Sequence, residues 1–582
     1  MNCHRINYTM ILSSFLLASI ASLLLVSASV LPSNATSTNN NNSNNVNNSM
    51  MTISPYSILT ITPNMIAAGG PIPPNYTMAQ EEAECAAELE NPGWYRTLMP
   101  AEHYDSARSE LYPCSQFPGS YTEPNDVFAY PSTDTYYSPF SMATRGTDEM
   151  YLYGGANGDA KPPALQPYVS RVEPGTLDEV WRTYLLNANM TNDFSLSGAA
   201  YILPDGSLAA TAGHQLFKLN ATTGKVQAAV TLPTGDNPPS DSGFNGFSIF
   251  PGDGNIILKS FNRPEGCTLN GYSAAAFRCP GAPASASPSV LSVVDPKTWE
   301  VLDWVQASEN SAGRITASEF DGKNYAYFAG TSSVFRYVWD GNNITLDETW
   351  GPVPYLKPGQ TLAGAVMILN DWMILTTNGN PSNVPMSVIA ISQANSSKVT
   401  TLDPIPLEPG QQSTYYAHGA VDPENNRIYA MDAGVHKAFG VDIDPSTGNM
   451  SVAWVKPQWS QSYITLIGPS HDRVFVNTNM SSPVTQNVSE MEPWPIGANY
   501  VEQIQWRDAA SGKLLAASDF FPSSAAYATV PVGYGGLIYD ITNIGNIIAL
   551  QVLPATNVTS TANMTSTTTS TATGQNSTSG SS

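Results

Sequence analysis

The sequence predicts an all-β protein, an eight-bladed β-propeller, and three observations support that fold class. A segment made of a small or polar residue, a short apolar strand, a tight Asp, Asn or Gly turn and a second apolar strand recurs eight times. The copies lie 46 to 68 residues apart, near the period of propeller blades. Charged residues make up only 12% of the chain, and 43 Gly and 45 Pro suit many short strands joined by turns. The copies are anchored at Ser141, Gly198, Gly246, Arg314, Gly364, Gly419, Thr465 and Ala528.

Each repeat also contains a second strand–turn–strand signal, which supplies the third and fourth strands of a blade. Examples are FKLNATTGKVQAAVTL, SVVDPKTWEVLDWVQA and DIDPSTGNMSVAWVKP. The eighth repeat is short and offers only the strands AYATVPV, GLIYDI and NIIALQVLP. We expect residues 126–130, DVFAY, to donate its fourth strand, because such an N-to-C closure would remove two open sheet edges.

The segments outside the repeats have distinct compositions. Residues 1–31 contain one Arg, an apolar run and small residues at 27–29, which predicts a signal peptide. The run is about 20 residues, so an uncleaved signal anchor is the alternative. Residues 32–77 are an Asn- and Pro-rich spacer that we expect to be disordered. Residues 78–125 are predicted to form a small disulfide-bonded cap, which is helical over 78–90. Residues 126–554 are predicted to form the propeller, and residues 555–582 to form a disordered Ser/Thr-rich tail.

Four cysteines follow the signal segment, and an even number in an exported chain predicts two disulfides. Proximity favours Cys85–Cys114 and Cys267–Cys279 among the three possible pairings. No metal site is predicted, because no cysteine pair has CxxC spacing and no histidine flanks one.

The sequons indicate an exported protein, and the net charge bears on its partners. Several Asn-x-Ser/Thr sequons fall in predicted turns, and a glycoprotein at the cell surface or outside the cell is therefore expected. The formal charge of −23 would repel phosphate backbones, which argues against a nucleic-acid partner. A membrane partner is expected only if the N-terminal segment stays uncleaved. The glycosylation candidates are Asn189, Asn220, Asn343, Asn395, Asn449, Asn479 and Asn487.

Six residues are candidate ligand-binding groups, because they lie early in inner strands or in short loops on one predicted face of the propeller. Arg314 stands out, since a cation near the channel mouth of an acidic protein could clamp a carboxylate or form an internal salt bridge. The spacing of the histidines does not indicate that they converge on a metal. The six are Arg314, His418, Asn245, His436, Asp432 and His214.

The segments DPKTWEVLDW, DPSTGNMSVAW and RDAASGKLLAA resemble the repeats of the quinoprotein alcohol dehydrogenase-like, or PQQ-repeat-like, eight-bladed propellers. The resemblance is at the level of the fold and covers roughly residues 126–554. It implies either a pyrroloquinoline quinone (PQQ) dehydrogenase using calcium or a non-enzymatic scaffold propeller. The chain lacks the adjacent cysteine pair of many such dehydrogenases, and no run of residues matches their metal-binding set, so no catalytic residue is transferred.

These features together predict an exported propeller that acts as a binding or scaffold module, with no cofactor. Its partner would be a protein, a glycan or a small ligand at the face that carries the long loops. A quinoprotein-like oxidoreductase with its cofactor at the channel mouth is the first alternative. A carbohydrate-active enzyme is the second, since a catalytic pair of carboxylates from distant blades would leave no local motif.

Overall fold

The computed structural model describes Ala83, Cys85 and residues 91–553, apart from 137–138, 156–157, 160–165, 187–193, 196–197, 266–285, 312, 363, 380–382, 415–416, 482–500, 525–528 and 543–544. The predicted signal segment, spacer and tail, the Cys267–Cys279 pair, Asn189 and Asn487 lie outside the described residues. None of the helices in the described part of the chain has the length and apolarity to cross a membrane.

The described chain forms eight antiparallel sheets with almost no helix, which confirms the predicted eight-bladed propeller. Blades 1 to 4 follow one another along the chain, and the strands of each pair in sequence order. The strands of blade 1 are Pro139–Gly146, Glu149–Gly154, Tyr168–Val172 and Glu179–Tyr184. Those of blade 2 are Ala200–Ile202, Leu208–Ala212, Gln215–Leu219 and Val226–Thr231. Those of blade 3 are Ser242–Ile249, Ile256–Asn262, Val290–Val294 and Val301–Gln306. Blade 4 contains Thr316–Phe320, Lys323–Ala329 and Ser333–Trp339, with Ile344–Leu346 and Pro352–Pro354 both paired to the third strand.

Blades 5 to 8 repeat this arrangement. Blade 5 contains Thr361–Leu362 and Met367–Leu369, both paired to Trp372–Asn378, then Val388–Ser392 and Val399–Leu402. Blade 6 contains Ala420–Asp422, Arg427–Asp432, Lys437–Ile443 and Met450–Pro457. Blade 7 contains Thr465–Ile467, Val474–Ser481 and Val501–Asp508, with Leu514–Ala517 and Phe521–Pro522 both paired to the third strand. Blade 8 contains Val532–Gly533, Leu537–Ile541, Ile547–Val552 and, from the N-terminal side, Val127–Pro131.

The remaining elements are short. Gly158–Asp159 and Phe194–Ser195 form a two-stranded sheet, and Leu111–Tyr112 pairs in parallel with the first strand of blade 7. Pro239–Asp241 and Ser470–Asp472 are single 3-10 turns.

The hydrophobic core lies between neighbouring blades. Middle strands are buried on both faces, as in Leu208–Ala212, whose five side chains are all buried. Outermost strands instead alternate, as in Val301–Gln306, where Leu302 and Trp304 are exposed. Tight turns join the strands, and the left-handed φ of 78° at Gly206 in the Pro-Asp-Gly turn of blade 2 favours glycine.

The fourth strand of blade 8 comes from the other end of the propeller sequence. Val127–Pro131 runs antiparallel to Ile547–Val552, with Val127 opposite Val552 and Pro131 opposite Ile548. Pro131 at the end of an outermost strand is compatible with the sheet, because such a strand needs no second hydrogen-bonding partner.

Residues 94–112, which we call the channel segment, run around the inner strands of all eight blades. In six blades an inner-strand N–H donates to a carbonyl of this segment over 2.8–3.1 Å. The donor and acceptor pairs are Thr144–Met99, Ile202–Pro100, Ala317–Ser106, Ile368–Ala107, Val421–Ser109 and Leu466–Glu110. Blade 3 accepts at the Ile249 carbonyl from the Ser106 hydroxyl, and the Tyr534 hydroxyl of blade 8 accepts from the Leu98 N–H. The channel is therefore lined by the chain's own N-terminal part.

Cys85 and Cys114 lie in one hydrophobic cluster with residues of blades 7 and 8. Cys85 is buried and Cys114 is half-buried. Their pairing as a disulfide stays a prediction.

Asp540 in blade 8 is a buried carboxylate whose two oxygens have no hydrogen-bond partner among the described residues. Glu502 of blade 7 is also buried and accepts hydrogen bonds from the N–H and hydroxyl of Ser524. Burial raises the pKa of both carboxyls, that of Asp540 to about 7, and the two groups raise each other's cost of ionisation. Folding is therefore favoured while Asp540 is protonated.

We predict that Asp540→Asn makes the protein more stable at pH 8 and flattens its pH dependence. The raised pKa contributes stability that is complete below about pH 4, the ordinary range of an aspartate, and is lost as the pH rises through about 7. Thermal unfolding from pH 5 to 8 measures this, with the exposed Asp371→Asn as a matched control. A wild-type protein that gains stability over this range as much as the variant would contradict the prediction.

Candidate functional site

Two of the six predicted site residues meet in the channel, and they meet residues of the channel segment. Arg314 lies just before the inner strand of blade 4 and His418 just before that of blade 6. Both are buried, with 4% and 1% of their surfaces exposed. Around them lie Glu102, His103 and Glu110, all of which are buried as well.

Arg314 binds Glu102 through two hydrogen bonds. Its Nε donates to Oε2 over 2.9 Å and its Nη2 donates to Oε1 over 2.6 Å. This is the parallel geometry in which a guanidinium best recognises a carboxylate. The Tyr201 hydroxyl also donates to Oε2 over 3.4 Å, from the inner strand of blade 2. The carboxylate that the sequence led us to expect at Arg314 is therefore the chain's own.

His103, Glu110 and His418 form the second half of the cluster. The Nε2 of His418 lies 2.8 Å from the Nδ1 of His103 and 3.4 Å from the Oε1 of Glu110. His103 Nδ1 also contacts that same carboxylate oxygen of Glu110. The Tyr463 ring packs against both imidazoles, with centroid distances of 5.0 and 5.1 Å.

The outward-facing ring nitrogens have acceptors. His418 Nδ1 lies 2.8 Å from the carbonyl oxygen of Gly419, which can only accept, so this nitrogen carries a proton. His103 Nε2 lies 3.3 Å from Glu102 Oε2. His103 Nδ1 and His418 Nε2 are therefore the ring nitrogens nearest to Glu110, and His418 Nε2 lies 3.5 Å from His103 Nε2 as well.

Burial and neighbouring charges decide how these groups ionise. Burial favours the neutral form of Glu102, but Arg314 and His103 outweigh it and hold the pKa of Glu102 below its usual range. Burial raises the pKa of Glu110, and His103 offsets this only in part. Burial, with His103 and Arg108 adding to it, lowers the pKa of His418 well below its usual range. Glu102 is thus ionised and His418 is neutral at physiological pH.

The other four predicted residues lie elsewhere. Asp432 accepts hydrogen bonds from the Ser413 hydroxyl and the Thr414 and Gly434 N–H groups, so its carboxylate fixes a loop of blade 6. His436 stacks on Trp459 with a centroid distance of 4.6 Å, and burial lowers its pKa to about 4. Asn245 is buried in the inner strand of blade 3, and His214 lies in the turn between the second and third strands of blade 2.

Sequence reasoning missed Glu102, His103 and Glu110, which it assigned to the cap. The signal available was local charge density: the stretch AEHYDSARSE concentrates acidic and basic side chains in a chain that has few of them. Nothing in that stretch identifies Arg314 as a partner, because 212 residues separate it from Glu102.

No protein-family model matches the chain, and no curated protein sequence matches it. Among solved structures, the chain is similar to a quinohemoprotein alcohol dehydrogenase from Comamonas testosteroni, with 12% identity, a TM-score of 0.45 and coverage of 81% of this chain and 84% of that one. It is similar to a europium-containing methanol dehydrogenase with 8% identity, a TM-score of 0.47 and coverage of 81% and 99%. It is also similar to BamB from Moraxella catarrhalis, with 10% identity, a TM-score of 0.41 and coverage of 73% and 99%.

The eight sheets of the chain themselves establish the eight-bladed propeller fold. Likeness at this level carries nothing about activity.

The described channel residues do not fit a quinone bound with calcium. Two carboxylates of the channel segment, Glu102 and Glu110, are engaged by Arg314 and two histidines rather than grouped as an oxygen-ligand set. The channel segment also hydrogen-bonds the inner strands of six blades. We therefore derive no chemical step through a quinone.

We predict that Arg314→Gln destabilises the protein by about 3–5 kcal/mol, because it leaves the Glu102 carboxylate buried without its cation. Thermal or urea unfolding measures the loss. Lys357→Gln is the matched control: Lys357 pairs with Asp403 over 2.5 Å with 46% and 38% of the two side chains exposed, and its removal is expected to cost below about 1 kcal/mol. Equal losses in the two variants would show that the Arg314 pair is not a structural centre.

Proposed function

We propose that this protein is an exported propeller that acts as a binding or scaffold module at the cell surface or outside the cell. One observation carries the proposal: the two strongest candidate ligand-binding groups of the channel, Arg314 and His418, are buried against Glu102, His103 and Glu110 of the same chain. A propeller whose interior groups are satisfied internally offers its outer surfaces to partners.

The outer rim supports a binding role. Exposed apolar side chains lie on the outermost strands of six blades, where a partner could cover them. Trp304 and Leu302 of blade 3 stand side by side along one such strand, with 46% and 42% of their surfaces exposed. The others are Val180, Tyr184, Val226, Val399, Val452, Val455 and Leu514.

The positions of the sequons agree with a glycosylated exterior. Asn343, Asn395 and Asn449 are exposed and lie in turns between outer strands. Asn220 also lies in a turn, with its side-chain oxygen accepting from the N–H groups of Thr222 and Thr223. Asn479 is less suited, because it is half-buried in a strand and its side-chain oxygen accepts from the Trp459 N–H. Glycosylation stays a prediction.

The location is tested by labelling intact cells that express the full chain with a membrane-impermeant amine reagent. We expect labelling, because Lys225, Lys297 and Lys323 are exposed. A variant that lacks residues 1–31 is the control and should stay unlabelled inside the cell, since it has no export signal. Equal labelling of the two forms, or absence of the full chain from both the labelled cell surface and the medium, would contradict export.

The scaffold reading is tested by adding PQQ and Ca²⁺ to the purified protein and following quinone absorbance and dye reduction with simple alcohols. We expect neither bound quinone nor dye reduction above the level of a denatured sample. Stoichiometric quinone binding with substrate-dependent dye reduction would overturn the proposal in favour of a quinoprotein-like oxidoreductase.

A further inference from the structure

We propose that His103, Glu110 and His418 bind one divalent transition-metal ion of the Zn²⁺ class, which fastens the channel segment to blade 6. His103 Nδ1, Glu110 Oε1 and His418 Nε2 lie within 4.8 Å of one another, and all three residues are buried. Two imidazoles and a carboxylate form a donor set that suits Zn²⁺ and related ions, and does not suit Ca²⁺ or Mg²⁺.

The surroundings of the three ligands are those of a metal site. Ligating histidines usually donate their second ring N–H to a carboxylate or a backbone carbonyl, which turns the lone pair of the other nitrogen toward the ion. His103 has the Glu102 carboxylate in this role at 3.3 Å, and His418 has the Gly419 carbonyl at 2.8 Å. Arg314 in turn fixes Glu102 through its two hydrogen bonds. The N–H of each ring is therefore assigned to His103 Nε2 and His418 Nδ1, which leaves His103 Nδ1 and His418 Nε2 as the possible ligand atoms near Glu110.

One of the three separations between the ligand atoms is that of a metal site, and two are shorter. Zn²⁺ lies about 2.0–2.1 Å from nitrogen and oxygen ligands, which places the ligand atoms of a tetrahedron about 3.3 Å apart. His418 Nε2 and Glu110 Oε1 are 3.4 Å apart, the two ring nitrogens are 2.8 Å apart, and His103 Nδ1 lies closer still to Glu110 Oε1. The two short pairs must therefore separate when the ion enters. The Tyr112 hydroxyl donates to the Glu102 carbonyl over 3.0 Å and lies 3.4 Å from the other oxygen of Glu110.

A proton is the competing occupant. One proton on His103 Nδ1 would bond to Glu110, with His418 Nε2 as a second acceptor. A cation at the centre would engage all three basic atoms at once and would compensate the burial of Glu110. Binding of the ion therefore requires His103 Nδ1 to release its proton.

The site joins two parts of the chain that are distant in sequence. His103 and Glu110 belong to the channel segment, whereas His418 lies 315 residues beyond His103 and belongs to blade 6. The ion would be enclosed when the segment enters the channel, so metal binding and seating of the segment stabilise each other. This explains why residue spacing alone does not predict a metal site.

The test is the metal content and thermal stability of the purified full chain. We expect one equivalent of metal after chelator treatment and reloading with Zn²⁺, and a rise in Tm of a few degrees over the chelated protein. His418→Asn should lose both effects. His436→Asn is the matched control on the same blade and should keep both; its φ of 55° is one that Asn tolerates.

A second measurement keeps the proposal falsifiable if His418→Asn does not fold. Wild-type protein loaded with Co²⁺ should show visible ligand-field absorption, which Zn²⁺ abolishes by displacement. Glu110→Gln should weaken metal binding at least tenfold, because it removes the charged ligand. No stoichiometric uptake of Zn²⁺ or Co²⁺ by the wild-type chain, or an unchanged equivalent in a folded His418→Asn variant, would overturn the proposal and leave a shared proton in its place.

Discussion

The structure depends on one constraint: the inner strand of each blade presents backbone N–H groups to the channel, and these groups need acceptors. The channel segment supplies them in ring order, from Met99 beside blade 1 to Glu110 beside blade 7. Each such hydrogen bond contributes about 1 kcal/mol net. It is more important that each of these inner-strand N–H groups has a hydrogen-bond acceptor, because a buried N–H group without one would destabilise the fold.

Once the segment fills the channel, its charged side chains lose water and must find partners inside. Glu102 is stabilised by Arg314, and His103 lies between Glu102 and Glu110. Burial and these neighbours hold the pKa of Glu102 low and raise that of Glu110. The polar centre is therefore a consequence of how the channel is filled, and it ties the N-terminal part of the chain to blades 4 and 6.

Much of the fold could be predicted from the sequence, because the strands of most blades follow one another closely along the chain. Turn sequences such as LPDG and IDPSTG between two apolar strands predict each hairpin, and eight copies of the repeat predict eight sheets. The candidate site could be predicted only in part. Arg314 and His418 occupy equivalent positions in two repeats, so the repeat itself places them at the channel.

The path of the channel segment could not be predicted, because it has no periodicity and its backbone hydrogen bonds go to the inner strands of six different blades. The partners of Asp432 could not be predicted either: its carboxylate accepts hydrogen bonds from Ser413 and Thr414 and so fixes a loop. A sequence pattern shows that a polar residue lies near a loop or channel. It does not show which hydrogen bonds have already satisfied that residue.

Amide hydrogen exchange of the inner strands, measured by mass spectrometry on the full chain, tests the central claim most directly. If the channel segment accepts their hydrogen bonds, the N–H groups of Ala317, Ile368, Val421 and Leu466 should exchange as slowly as those of the buried middle strands. Rapid exchange at these amides, with the middle strands still protected, would show an open, water-filled channel and would contradict the account.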